Sequence, residues 1–470
     1  MSAIITNNFR RQSRQRFIES IQYEETNSTG YYIGLGKSDQ WREDESSYEV
    51  PLPNGALIAD QDVKDNLMAL VKVSSYASLF PRNEMRSGRV YKVYDPSDPL
   101  MFDLEDQYYP CVATYNDKVY VCLDNNNNNA ISGFPSGTTY GIEEADSTST
   151  VDGKYIWAYV QDVVTTSDFY TEEFIPSAAD PVDPTAAKTA TGGLVYGFRI
   201  DAGGSDLVGN EKIYLRGIDE NGANIAQIDL RTDSKFAITD AGGGIVDISY
   251  VDVNNVLTGY FKASVEVYQN DGVTRESTVE ITPLVAKIDG FGSSPANELA
   301  TFYMGCYAKF QGNVDGEAVT DVPFRQISLI KNPARLNQAG DDGYAYGDEE
   351  ALDALSYIQL NTNAATQTFP SGSIITQGNA IAYLDKVDLI KDRIYYHRNS
   401  NNDVNYVPFT VNDFTITSAE GTTPYNASDI VTVENSEYVH DSGDVMFIDH
   451  RAMITRNVDQ TEDIKIVIQF

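Results

Sequence analysis

Apolar and polar positions alternate with a period of two along much of the chain, in short runs rich in aromatic and β-branched residues. KVYVCL, KYIWAYV, LVYGFRI, EKIYLRGI, IVDISYV, YFKASVEVY and STVEITPLVAKI follow one another from about Val90, separated by clusters of Gly, Asn, Asp and Ser. Runs of this length and spacing predict β-sandwich strands. A second β block is expected from about Ser371 to Val433. Before Val90 the pattern differs. Ile5, Phe9, Phe17, Ile18 and Ile21 follow a broken helical spacing, then come a strand at YYIGLG and a second helix from about Asp60 to Leu70. Asp60 would cap that helix, and Asp62 would sit in its first turn, where the helix dipole favours an acid. DEEALDAL (348–355) predicts a further short helix. The closing EDIKIVIQF places Ile464, Ile466, Ile468 and Phe470 on one face of a strand and Val467 on the other, so the carboxyl end is expected inside a sheet. No fixed-period repeat occurs, which argues against a propeller or solenoid. The predicted class is α+β, mainly β.

Composition narrows the function classes. The chain has 470 residues and a net charge of −35, with 69 acids against 34 bases. A nucleic-acid binder needs a basic surface that displaces counterions, so that task is disfavoured. With 41% hydrophobic residues and 50 Tyr and Phe together (31 and 19), the chain has enough apolar area to fold rather than stay disordered. No run approaches the ~18 apolar residues of a membrane span, and MSAIITNNFRRQSRQRF lacks the apolar core of a signal peptide. A chain made in the cytoplasm and remaining soluble is expected. Three cysteines cannot form a disulfide framework. Cys111 and Cys122 flank an Asn116–Asp117 turn and would face each other at the wider, hydrogen-bonded antiparallel spacing, so two free thiols are expected.

Candidate chemistry is sparse. GLGKS (34–38) looks like the end of a phosphate-binding loop, but Tyr31 stands where the first glycine belongs, and acids follow where a phosphate-facing helix should start. The remaining reading is a strand ending in a glycine turn that presents Trp41. His397, His440 and His450 show no metal-ligand spacing, and no GxSxG elbow accompanies them. The Asn125–Asn129 tract after Asp124 lacks the glycine and closing Glu of a calcium loop. No catalytic, cofactor or metal residues are assigned, and no cofactor is expected. The densest positive cluster, Arg10, Arg11, Arg14 and Arg16, reads either as a solvated helix face or as an arm docking on an acidic surface of this chain or a neighbour. Between the β runs, 176–193 reads as a Pro/Ala/Thr linker.

Six stretches, taken together, resemble the baseplate wedge protein known as gene product eight in T-even-like contractile-tailed bacteriophages. They are YYIGLGKSDQW (31–41), LVKVSSYASLFPRNE (70–84), VYVCLD (119–124), GKYIWAYV (153–160), PFRQISLIKNP (323–333) and the closing 441–470. They occur in the family's chain order, and the last two are the most specific. The resemblance implies a structural protein without catalytic residues, carried in the virion and assembled in the host cytoplasm. It implies an α/β sandwich terminal domain from both chain ends, 1–80 and 298–470, with two β-sandwich domains inserted at 81–297. It also implies a homodimer that binds other baseplate wedge subunits, with no nucleic-acid or membrane partner. The chain departs from the pattern by its length: extra β material falls at 185–290 and at 345–435, the second inside the terminal domain.

Two other classes compete. A glycan-binding tail receptor protein would use Trp41 and Trp157 as stacking platforms. A β-rich glycoside hydrolase would need an acid–base pair, and among 69 acids none stands out.

Overall fold

A computed structural model describes residues 5–26, 30–41, 50–53, 56–94, 108–126, 128–135, 143–144, 155–178, 193–252, 255–285, 291–292, 294–299, 301–310, 322–336, 344–346, 351–398, 407–457 and 460–470. Of these, 49% are strand and 9% helix, and the sheets are antiparallel apart from one short parallel pair, Val90–Tyr91 with Tyr108–Tyr109. The α+β, mainly-β class holds. Most of the 176–193 linker lies outside the described residues.

The chain forms two compact units, each built from separated stretches. One takes Met1–Arg16, Tyr76–Gly305 and Val467–Phe470; the other takes Phe17–Ser75 and Cys306–Ile466. Helix α1 (Asn7–Thr26) passes from the first to the second after Arg16.

In the second unit, strand β1 (Tyr31–Gly36) is buried at every residue, because it lies between two neighbours. It pairs antiparallel with β2 (Leu67–Lys72) and with Phe324–Lys331, 290 residues further on. The five-stranded order runs Ala351–Asp353, β2, β1, Phe324–Lys331, Asp444–Ile454. A Cβ at Gly34 would lie 2.6 Å from Ser328 Oγ and 2.7 Å from Leu67 Cδ2, so a larger residue there would force those side chains to shift. Helix α2 (Ala56–Asn66) packs Val63 with Tyr32, Leu67, Leu70, Ile330, Leu352 and Tyr438.

Two sequence expectations fail here. The second helix starts and ends about four residues early, so Asp60 stands inside it rather than capping it. Leu67–Leu70 is strand, since an apolar run flanked by β1 and Ala351–Asp353 is satisfied on both edges by ladder hydrogen bonds. Ala351–Asp353, expected as helix, is the edge strand that pairs with β2 on one side.

The same unit holds a seven-stranded antiparallel sheet between Ser356 and Glu434, in the order Gly421–Tyr425, Phe414–Ser418, Ile374–Gln377, Ala380–Asp388, Arg393–His397, Ser356–Leu360, Ile430–Glu434. Its core gathers Ile358, Ile375, Leu384, Ile394, Tyr396, Phe414 and Ile416. The expected second β block is thus present and begins earlier, at Ser356.

In the first unit, Val112–Tyr115 and Lys118–Asn125 form the expected hairpin. Asn116 and Asp117 take φ of 48° and 56°, the left-handed pair of a two-residue turn. Val112 faces Val121, and the Cys122 N–H donates to Cys111 O at 2.8 Å. Both thiols are free and buried. Tyr155–Asp162 continues this sheet and carries Trp157, fully buried among Tyr91, Tyr155, Val121 and Cys122. Residues 195–285 form a second β layer set: Val195–Gly203 with Val279–Val285, Asn224–Asp229 with Lys212–Ile218 and Lys262–Tyr268, and Phe236–Ala241 with Gly244–Tyr250. Ile213, Leu215, Phe236, Ile245 and Ile248 lie at its centre. β3 (Ser75–Pro81) pairs with Phe174–Pro176. The closing strand runs Glu462–Gln469 with Ile466 buried, Ile464, Ile468 and Phe470 half-buried, and Val467 half-buried opposite, as its alternation predicts.

Candidate functional site

The arginines of α1 are spaced so that Arg10 and Arg14 share one face. In the first unit that face turns inward. Arg14 is 0% exposed and donates to Ser78 Oγ and, at 2.8 Å, to Asn297 Oδ1. Arg11 donates to Asn8 Oδ1 at 2.9 Å and reaches Asn297 O at 3.5 Å, and the Arg10 guanidinium lies 5.2 Å from the centre of the Phe302 ring. Arg16 is exposed. The sequence leaves open a solvated helix face or an arm docking on an acidic surface of this chain or a neighbour; Arg14 is enclosed against Ser78 and Asn297 of its own chain. Its guanidinium leaves water because fixed oxygens replace the lost hydration, and its apolar stem adds packing. Arg16 alone of the four stands fully open.

Neither tryptophan is a free platform. Trp157 is 0% exposed, out of reach of a glycan. Trp41 donates its Nε1–H to Arg451 O at 2.9 Å, and its ring lies 4.4 Å from that of His450. The turn before it sets Lys37 at φ 62°, with Nζ 3.0 Å from Asp39 Oδ1 and 5.1 Å from the Trp41 ring. The lysine of the would-be phosphate loop is engaged with an acid and an indole.

The histidines are all hydrogen-bonded. His450 Nδ1 lies 2.7 Å from Pro51 O, and its Nε2 3.1 Å from Gln326 Nε2. His397 Nδ1 lies 2.9 Å from Asp385 Oδ2, while the Ser38 hydroxyl donates to Asp385 Oδ1 at 2.5 Å. A nucleophilic relay needs the serine on the imidazole, not on the carboxylate, so this trio orients rather than activates Ser38. Burial works against the charged His397, but the adjacent Asp385 carboxylate outweighs it, and the imidazole is raised above its ordinary value. On Ala351–Asp353, burial lifts the Asp353 carboxyl to about 8, with the nearby Glu437 adding to the rise. Burial likewise lifts Asp124 to about 6, although its Oδ1 accepts the Asn126 N–H at 2.8 Å. The buried thiols of Cys122 and Cys306 are raised too, which makes them inert rather than nucleophilic.

A further cluster brings Asp65, at the end of α2, against His440 and Asp441. Sequence spacing could not reveal it, because the residues that meet there lie as much as 380 positions apart. His440 followed by Asp441 was visible; the helix face opposite was not.

No family model matches this chain, and no curated protein matches it.

Proposed function

We propose that the chain is a structural subunit of a contractile-tail baseplate wedge, acting by protein–protein contacts as a homodimer joined to other wedge subunits. The observation that carries this reading is where the six resembling stretches fall. They form β1, the β2–β3 region, the strands at Lys118–Asn125 and Tyr155–Asp162, the wholly buried Phe324–Ile330, and the last two strands. The resemblance thus concentrates in sheet strands of both units, central ones such as β1 and Phe324–Lys331 and the edge strands Asp444–Ile454 and Glu462–Gln469, in scaffold rather than in a pocket. The threading supports it as well: 76–305 interrupts a unit assembled from 17–75 and 306–466. The outward-facing residues then carry the work, and Tyr suits such surfaces because one end of its ring is apolar and the other bonds to water or a partner.

Light scattering on the purified chain tests the reading. A particle of two 51.9-kDa chains is expected. A trimer that binds immobilised glycans would overturn it in favour of a receptor protein.

A further inference from the structure

We propose that Ser38, Asp385 and His397 form a proton-operated clamp, which fastens the seven-stranded sheet to the turn after β1 while His397 is protonated and slackens when the proton leaves. The need for a clamp follows from the topology. The chain enters this sheet on Ser356–Leu360 and leaves it on Ile430–Glu434, and these strands are neighbours at one edge, with Tyr357 opposite Glu434. Both covalent joins therefore lie side by side, as in a hinge, where a few residues at the ends of elements absorb a motion. A sheet held along that line alone is free to rock.

A third attachment lies two strands further in, on Ala380–Asp388, and comes from a residue 347 positions earlier in the chain. Asp385 Oδ1 accepts the Ser38 hydroxyl at 2.5 Å, and its Oδ2 faces His397 Nδ1 at 2.9 Å. The turn that carries Ser38 is itself fixed to the five-stranded sheet. The Arg325 guanidinium donates to Ser38 O, and the Lys37 N–H donates to Asn66 O at 3.0 Å. On the other side, Ser371 Oγ donates to Asp385 O at 3.0 Å, and a Cβ at Gly372 would lie 3.1 Å from that of Asp39.

The clamp turns on one enclosed charge. The Asp385 side chain is 0% exposed and that of His397 6%, so a carboxylate at this node needs a cation beside it. Among the groups that face the imidazole, Asp39 is a second acid, and Lys37 is bound to Asp39 at 3.0 Å. The Tyr383 ring stacks on the imidazole, 5.7 Å between centres. Burial works against the imidazolium and Lys37 does too, but Asp385 and Asp39 favour it, and the balance lies above the ordinary histidine value. Protonated, His397 forms a neutral pair with Asp385. Deprotonated, it leaves an uncompensated carboxylate inside, which draws water to the node and weakens the grip on Ser38. The inference does not depend on the assembly reading.

Hydrogen–deuterium exchange of the full chain tests it, read by mass spectrometry and corrected for the intrinsic rise of exchange with pH. Peptides over 37–39 and 371–385 should exchange faster as pH rises through the histidine range, by up to about tenfold per pH unit, the limit for one proton, while Phe324–Lys331 keeps its protection. In His397→Gln, whose amide can donate to Asp385 but cannot titrate, this dependence should vanish. Asp385→Asn removes the charge that holds the proton and should lose it as well. Ser38→Ala should exchange faster at every pH and keep the dependence, because the proton site is intact. Far-UV circular dichroism of each variant shows that the fold persists. No pH dependence over 371–385 in the parent chain, or the parent's dependence in a folded His397→Gln variant, would overturn the clamp. An equal change over Phe324–Lys331 would overturn it too, since the opening would then be global.

Discussion

At the scale of single residues, Arg14 is where charge and packing meet. Its removal leaves Asn297 and Ser78 facing a cavity in place of a guanidinium, and a buried polar group without its partner costs about 1–3 kcal/mol. Arg14→Ala should therefore lower stability by about 2–3 kcal/mol in urea unfolding, whereas Arg16→Ala should stay within about 0.5 kcal/mol. Equal effects would refute the inward face of α1. Trp157→Ala opens a cavity among the aromatic rings of the first unit and should cost about 3–5 kcal/mol. In the second unit, His397 and Asp353 give a pH dependence of one sign. Each is raised in the fold, so each binds its proton more tightly folded than unfolded. The His397 contribution is full below about 6.5, the ordinary histidine value, and fades as pH rises through the folded value. The Asp353 contribution is full only below the ordinary carboxylate value and is spent by its folded value of about 8. The urea midpoint should fall from about pH 4 through about pH 8 as Asp353 ionises, and keep falling above about 6.5 as His397 loses its proton, less steeply in Asp353→Asn and His397→Gln respectively. A flat profile in the parent chain would contradict both shifts.

At the scale of elements, the closing strand is the sharpest test. Ile466 is buried, and the Phe470 N–H donates to Phe302 O at 3.0 Å. Deleting 462–470 should yield insoluble or unfolded chain, and a soluble protein with native circular dichroism would refute it. Period-two alternation made this strand and the runs from 118 to 285 legible in the sequence, because a strand with one wet face writes its burial directly into residue type. Leu67–Leu70 and Ala351–Asp353 were misread for the opposite reason. Leu67–Leu70 is buried on both faces and so carries no alternation, while at Ala351–Asp353, a three-residue edge strand, helix-favouring Ala and Leu are overruled by pairing with β2, remote in sequence. The arginine cluster was legible as a helix face, but which arginines point inward depends on Ser78 and Asn297, 64 and 283 positions away. Asp65 and His440 were hidden in the same way.

At the scale of the whole molecule, a charge of −35 keeps copies apart unless a specific surface overcomes the repulsion. If the chain is a homodimer, salt should tighten it by screening, and dilution at low ionic strength should release monomers; sedimentation at two salt concentrations reads this directly. Loss of the dimer on adding salt would mean that opposite charges, not apolar contacts, hold the copies together. The threading of β1 between β2 and Phe324–Lys331 has a consequence on the ribosome. β1 and β2 emerge early, yet the other edge of β1 finds its partner only after some 290 further residues have been made. At ordinary synthesis speeds that wait lasts on the order of tens of seconds. For that interval an unpaired row of backbone N–H and C=O groups, on a strand wholly buried in the finished fold, hangs outside the exit tunnel, while strands such as Lys118–Asn125 and Tyr155–Asp162 can already close on one another. Nascent chains stalled before residue 324 should consequently be clients of chaperones that grip bare strand edges, and chains released after the final strand should not.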